Sequence, residues 1–150
     1  MKKLKLMALM LAAGVVFATG TKANAEVGYL NYQKVLDNYP AAQQAVKEID
    51  AKSLELQQYM VDKEKQYKSL DTPLKKQNFE TQTATEFNAK QEALYKLRSQ
   101  KESQILNQVQ TAAKAVMVAQ KLDAIVADQV IFVGGVDVTD LIIQQLKSGK

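Results

Sequence analysis

The chain contains no cysteine and no histidine, and its 150 residues include only two prolines and six glycines. Without cysteine there are no disulfides and no thiol for a lipid anchor, so stability must come from packing or assembly. Without histidine and cysteine, the usual zinc, haem and thiolate chemistry is excluded, as is every triad built on imidazole. Carboxylates remain, but little globular body is available in which to bring two of them together. The chain therefore reads as no enzyme and as needing no cofactor. Glycine is missing altogether between Gly28 and Gly134, and after Pro40 the one proline is Pro73. So long a stretch without its commonest breakers is built for helix.

What is present begins with a leader. Lys2, Lys3 and Lys5 precede an almost wholly apolar run from Leu6 to Ala18, and Ala23-Asn24-Ala25 fits the small-x-small cleavage rule. Residues 1–25 read as a secretory signal peptide cut after Ala25. The apolar run is too short for a stable transmembrane helix, which needs about 20 residues. Four lysines (Lys2, Lys3, Lys5, Lys22) leave with the leader, so the chain from Glu26 onward carries as many acidic as basic groups. Its basic whole-chain balance is thus no argument for nucleic-acid binding, which the reading excludes.

From Glu26 the order is strand, short helix, long helices, strand material, helix. Val27 to Tyr32 has a strand pattern, followed by about a turn of helix through Leu36 with Asn31 as N-cap. Pro40 suits the first turn of a new helix. Tyr39, Ala42, Val46, Ile49, Ser53, Leu56, Met60, Lys63, Tyr67 and Leu70 then step by threes and fours, a heptad seam with only Ser53 and Lys63 out of character. Asp71-Thr72-Pro73 breaks the run, and Asp71 or Thr72 can cap the return helix. The return seam is Phe79, Thr83, Phe87, Lys90, Leu94, Leu97, Lys101, Ile105, Val109, Ala112 and Val116, whose repeated steps of four unwind the supercoil locally. An arm of ~45–60 Å follows at 1.5 Å per residue.

After Lys121 the texture changes. Ala124-Ile125-Val126-Ala127 and Val130-Ile131-Phe132-Val133 read as a strand pair or as one interrupted strand. Gly134-Gly135 turns the chain, and Thr139 or Asp137 caps a last helix from Asp140 to Lys147. The expected fold is α+β and mainly α: a long antiparallel helical hairpin over 40–121, its tip near 71–73, projecting from a small β-rich body made of 26–39 and 122–150. A body of 43 residues without disulfides or metal can hardly bury enough surface alone. Its strands would also leave open edges. Sharing the body between subunits removes both problems. Val27, Tyr29, Leu30, Ile125, Val126, Ile131 and Val133 are the residues expected to build it.

The leader, the Val27-Gly28-Tyr29-Leu30-Asn31 strand, the Lys/Gln/Glu-rich hairpin and the Phe132-Val133-Gly134-Gly135-Val136-Asp137-Val138-Thr139-Asp140 segment together resemble the Skp/OmpH family of periplasmic chaperones. The resemblance covers essentially the whole chain after the leader, and residues 116–146 carry most of it. It implies a homotrimer with a central β-barrel-like body and helical arms enclosing a cavity. In that cavity unfolded outer-membrane proteins would be held in the periplasm without ATP. The chain agrees on ATP, since Gly134-Gly135 lacks the Lys-Ser/Thr of a phosphate-binding loop. It departs in charge, because members are often strongly basic and this chain after its leader is neutral.

Two sets of side chains are candidate contacts. Lys63, Lys65, Lys68, Lys75 and Lys76 near the tip face Asp62, Glu64 and Asp71 in sequence. They read as a client contact, as a weak contact with anionic lipid headgroups, or as an ordinary solvated tip. Tyr59, Met60, Tyr67, Phe79 and Phe87, with Tyr95, read as adaptable apolar client contacts or as packing within the arm. The alternative reading of the whole chain is an exported coiled-coil structural or adaptor protein of the cell envelope. That alternative does not explain why strands and a capped helix bracket the hairpin.

Overall fold

A computed structural model of the chain describes residues 25–149. Apart from Ala25, the signal peptide expected over residues 1–25 lies outside the described residues. Strand β1 (Val27–Leu30) is followed by helix α1 (Tyr32–Asn38). Asn31 caps α1, its side-chain oxygen accepting from the Lys34 N–H at 2.7 Å. Extended backbone at Tyr39 separates α1 from α2 (Pro40–Lys68), with proline in the first turn where its missing N–H costs nothing. Helix α3 (Pro73–Ala119) starts after Thr72, whose side chain accepts from the Lys75 N–H. Lys121 turns the chain at φ 57° into β2 (Ala124–Ala127). Then come a single 3-10 turn (Asp128–Val130), β3 (Val136–Asp137) and α4 (Thr139–Ser148).

The strands form one parallel sheet in the order β2-β1-β3. Val27 pairs with Ala124 and Leu30 with Ala127, while Gly28 pairs with Val136 on the other side. The apolar run from Val130 to Val133, expected as strand, is not one. Asp128 ends β2: its carboxylate accepts from the Asn31 Nδ2 at 2.7 Å, and its carbonyl accepts from the Ile131 N–H at 3.1 Å. The turn throws Val130, Phe132 and Val133 outward, with Phe132 fully exposed and Val133 86% exposed. β-branched residues signal strand only where a partner strand is in reach. Here the partner place beside β1 is taken by Val136–Asp137 after the two glycines.

The final helix begins one residue earlier than expected. Val138, not Thr139 or Asp137, is at the cap position and no side chain caps from there, while the Asp137 Oδ1 accepts from the Thr139 N–H at 2.9 Å and from its hydroxyl at 2.6 Å. The Thr139 Oγ1 in turn accepts from the Asn31 N–H at 2.9 Å, tying α4 to β1.

The core joins the terminal segments to the root of the arm. Val35, Val138 and Ile142 are wholly buried against Val109, Ala112, Val116, Leu122 and Ile143. Helix α3 has 47 residues against 29 in α2, so its last turns run on past the base of the hairpin. Those extra turns supply a wall that the terminal segments alone lack. In the central strand, a Cβ on Gly28 would sit 2.7 Å from the Leu122 Cδ1 and 3.3 Å from the Ile125 Cγ1. Both neighbours are packed on the core, so Gly28→Ala is expected to cost about 1–3 kcal/mol in a denaturant melt. A melt unchanged within error would contradict that packing.

Along the arm, two expected seam positions are corrected. Val46 and Met60 are 56% and 42% exposed, while Ala45 and Tyr59 turn inward in their places. Tyr59 is drawn in because its hydroxyl donates across the hairpin to Glu86 at 2.6 Å. On α3 the seam follows the expected residues, except that Lys90 is exposed.

Candidate functional site

The distal half of the arm is organised around one carboxylate. Glu86 on α3 accepts from Tyr59 and is paired with Lys63 at 3.0 Å, both on α2, while Gln82 donates to its other oxygen at 2.8 Å. The Lys63 ammonium also lies 5.2 Å from the Tyr59 ring centroid and 5.3 Å from that of Phe79. Lys90 lies 5.1 Å from the Tyr59 ring centroid. Lys63, the residue out of character in the seam, is thus a cross-link within the hairpin.

Electrostatics follow the geometry. The Tyr59 hydroxyl first, then Lys63 and Gln82, hold the Glu86 carboxyl down at about 2, below the ordinary 4.5. Burial, and next the Glu86 carboxylate, hold the Tyr59 phenol above its usual range. A depressed carboxyl contributes stability above its unfolded value of 4.5, and that contribution is lost as pH falls from about 4.5 towards 2. In a carbon-13 titration the Glu86 carboxyl is expected to have its midpoint near 2. Tyr59→Phe should move the midpoint up towards 4.5, and an unmoved midpoint would show that the hydroxyl bond does not form.

The other tip lysines each have a neighbour. Lys65 pairs with Asp62 at 3.7 Å, Lys75 with Asp71 at 2.9 Å, and Lys68 with Glu64. Lys76 lies 5.3 Å from the Tyr67 ring centroid. Exposed pairs of this kind contribute little to stability and leave the tip solvated.

The aromatic candidates divide. Tyr59, Tyr67, Phe79 and Phe87 are half-buried between the helices, with the Tyr67 and Phe79 rings 6.3 Å apart and tilted by 45°. Met60 and Tyr95 are exposed. Met60, Val61, Tyr67, Phe79, Ala84 and Phe87 line a mainly apolar groove of about 480 Å³. Leu54, Val61 and Leu106 are exposed apolar side chains that sequence reasoning passed over. Their signal was available: large apolar residues at positions a heptad assigns to water.

At the other end, strand alternation sorts the body residues. Leu30 and Ile125 pack onto the core. Val27, Tyr29 and Val126 fall on the opposite face of the sheet and are half-buried, with Gly135 lying close against the Tyr29 ring. Beside them Ile131 is half-buried and Val130, Phe132 and Val133 project into solvent. Among the described residues there is no group of three or more acidic side chains placed to hold a metal ion. No described helix is long and apolar enough to cross a membrane.

A family model described as Outer membrane protein (OmpH-like) matches residues 26–146. No curated protein matches the chain. The matched range runs from the residue before β1 into α4 and takes in both arm helices. The chain belongs to the OmpH-like family.

Proposed function

From membership of the OmpH-like family, a family of periplasmic chaperones for outer-membrane proteins, we propose that this protein is an ATP-independent holdase. It is exported to the periplasm by its leader and assembles as a homotrimer through the body. It holds unfolded outer-membrane proteins in the space between its arms.

The observation that carries the reading is the apolar surface at both ends of one thin arm. At the body, Phe132 and Val133 stand in water beside a sheet face that is only half-buried. Solitary monomers rarely leave such patches open, and a second and third copy would cover them. Towards the tip Met60 and Val61 offer apolar surface to water, as Tyr95 does midway along the arm. A holdase needs contacts that are weak, plural and adaptable, and methionine and aromatic side chains provide them. Several arms around one client make weak contacts effective through local concentration. A client so held is kept from aggregating through its own strand edges.

The experiment is dilution of a urea-denatured outer-membrane barrel protein into the purified protein, followed by light scattering. Equimolar trimer is expected to suppress scattering almost completely without nucleotide. Scattering identical to that of the client alone would reject the holdase reading.

A further inference from the structure

The arm has a second apolar groove, of about 610 Å³, at its root between α1, α2 and α3, with Leu36, Val46 and Ile105 among its walls. Val46 and Met60 are two heptads apart on α2 and so stand on one side of the helix. On α3, Ala84 of the distal groove and Glu102 of the root groove are 18 residues apart, five full turns, and likewise share a side. Both grooves therefore open on one face of the hairpin. A third gap midway, of about 300 Å³, is walled by Lys52, Glu55, Lys90 and Ala93 among others. Glu55 is nine residues from Val46 and Ala93 nine from Ala84, two and a half turns in each case, which puts this charged gap on the opposite face.

The exposed apolar side chains divide in the same way. Tyr95, 73% exposed, lies eleven residues or about three turns from Ala84, and Leu106 one turn beyond Glu102. Leu54, 65% exposed, lies one heptad before Val61. Leu54 and Tyr95 are thus level with the middle of the arm, between the two grooves.

We infer that this face is the client-holding face, and that each arm takes one extended, neutral segment in which apolar and polar residues alternate. The inference rests on the holdase reading. Fourteen residues of α2 and 18 of α3 separate the grooves by ~21–27 Å. An extended chain advances ~3.3 Å per residue, so about six to eight residues cover that distance. Successive side chains of an extended strand point to opposite sides, so a segment that turns its apolar side chains to this face and its polar ones to water alternates the two. Leu54 and Tyr95 meet the apolar ones between the grooves. The spacing suits strands of outer-membrane barrels, which alternate apolar and polar over ~9–11 residues. Charge agrees: Lys63, Glu64 and Glu80 rim the distal groove, and Asp37, Lys47, Lys101 and Glu102 the root groove. Rims of mixed sign give no attraction to a strongly charged segment.

Two labelled neutral peptides of about 11 residues and identical composition test this, one alternating leucine with serine and one spacing its leucines by threes and fours. Fluorescence anisotropy with the whole trimer is expected to show the alternating peptide binding at least about tenfold tighter. Replacing Met60 and Tyr95 together with serine should weaken it by a further factor of about ten. Val118→Ser, which alters an exposed side chain facing the other way, should leave it unchanged. Equal binding of the two peptides, or undiminished binding by the Met60/Tyr95 variant, would overturn the inference. So would a change in that variant's mass in sedimentation, which would mean that another copy covers the face. If the variant suppresses client aggregation as well as the parent does, the face is wrong and the chaperone reading stands. If the parent itself does not suppress aggregation, the chaperone reading has failed.

Discussion

Replacing Ile142 with alanine is expected to cost about 2–5 kcal/mol, and replacing it with aspartate to abolish the folded body. Ile142 is wholly buried, with Val35 and Val138 beside it at the same degree of burial. It belongs to the cluster that fastens α4 to α1 and to the end of α3. The alanine variant leaves a cavity that close-packed neighbours only partly fill. The aspartate variant puts an unpaired carboxylate among buried apolar side chains, a cost of several kcal/mol more. Domains of this size have about 5–15 kcal/mol to lose in all. Circular dichroism during a urea melt reads the effect. A midpoint for Ile142→Ala equal to the parent's would mean that the core is not where the structure puts it.

The second large effect separates folding from assembly. Replacing Phe132 and Val133 together with aspartate is expected to leave the helical signal unchanged, because both side chains stand in water in the single chain. The same variant is expected to fall to one chain in sedimentation and to lose protection of a denatured client. Full burial of one large apolar side chain contributes about 1.5–3 kcal/mol, so six of them in a threefold assembly amount to on the order of 10 kcal/mol. Ile131 would not separate the two effects, since it is already half-buried within the chain. A variant that stays fully assembled would move the interface elsewhere on the body.

These expectations differ from what the residues suggest when read in line, and the reason is physical. Local signals were legible: Asn31 and Thr72 as caps, Pro40 and Pro73 in first turns, and the tip between them all depend on neighbours within four residues. Features set by the register of one helix against another were not. Counting heptads assigns Val46 and Met60 to the seam, but Ala45 and Tyr59 take those places once Tyr59 meets Glu86 across the hairpin. The same register brings Glu86 to Lys63, which in sequence looks like one more tip cation. The run through Val133 reads as strand from composition alone. Only the turn at Asp128, fixed by Asn31 nearly a hundred residues earlier, shows why it is not. The length difference between α2 and α3 was countable, but its use as a wall of the core depends on how α4 packs.

The central claim is that this chain works as an assembly whose arms hold an unfolded outer-membrane protein. Sedimentation velocity of the mature protein, mixed with a denatured barrel protein and diluted out of urea, tests it most directly. The account predicts one soluble species with the mass of three chains plus one client. A pelleted client above a boundary of free single chains would contradict it.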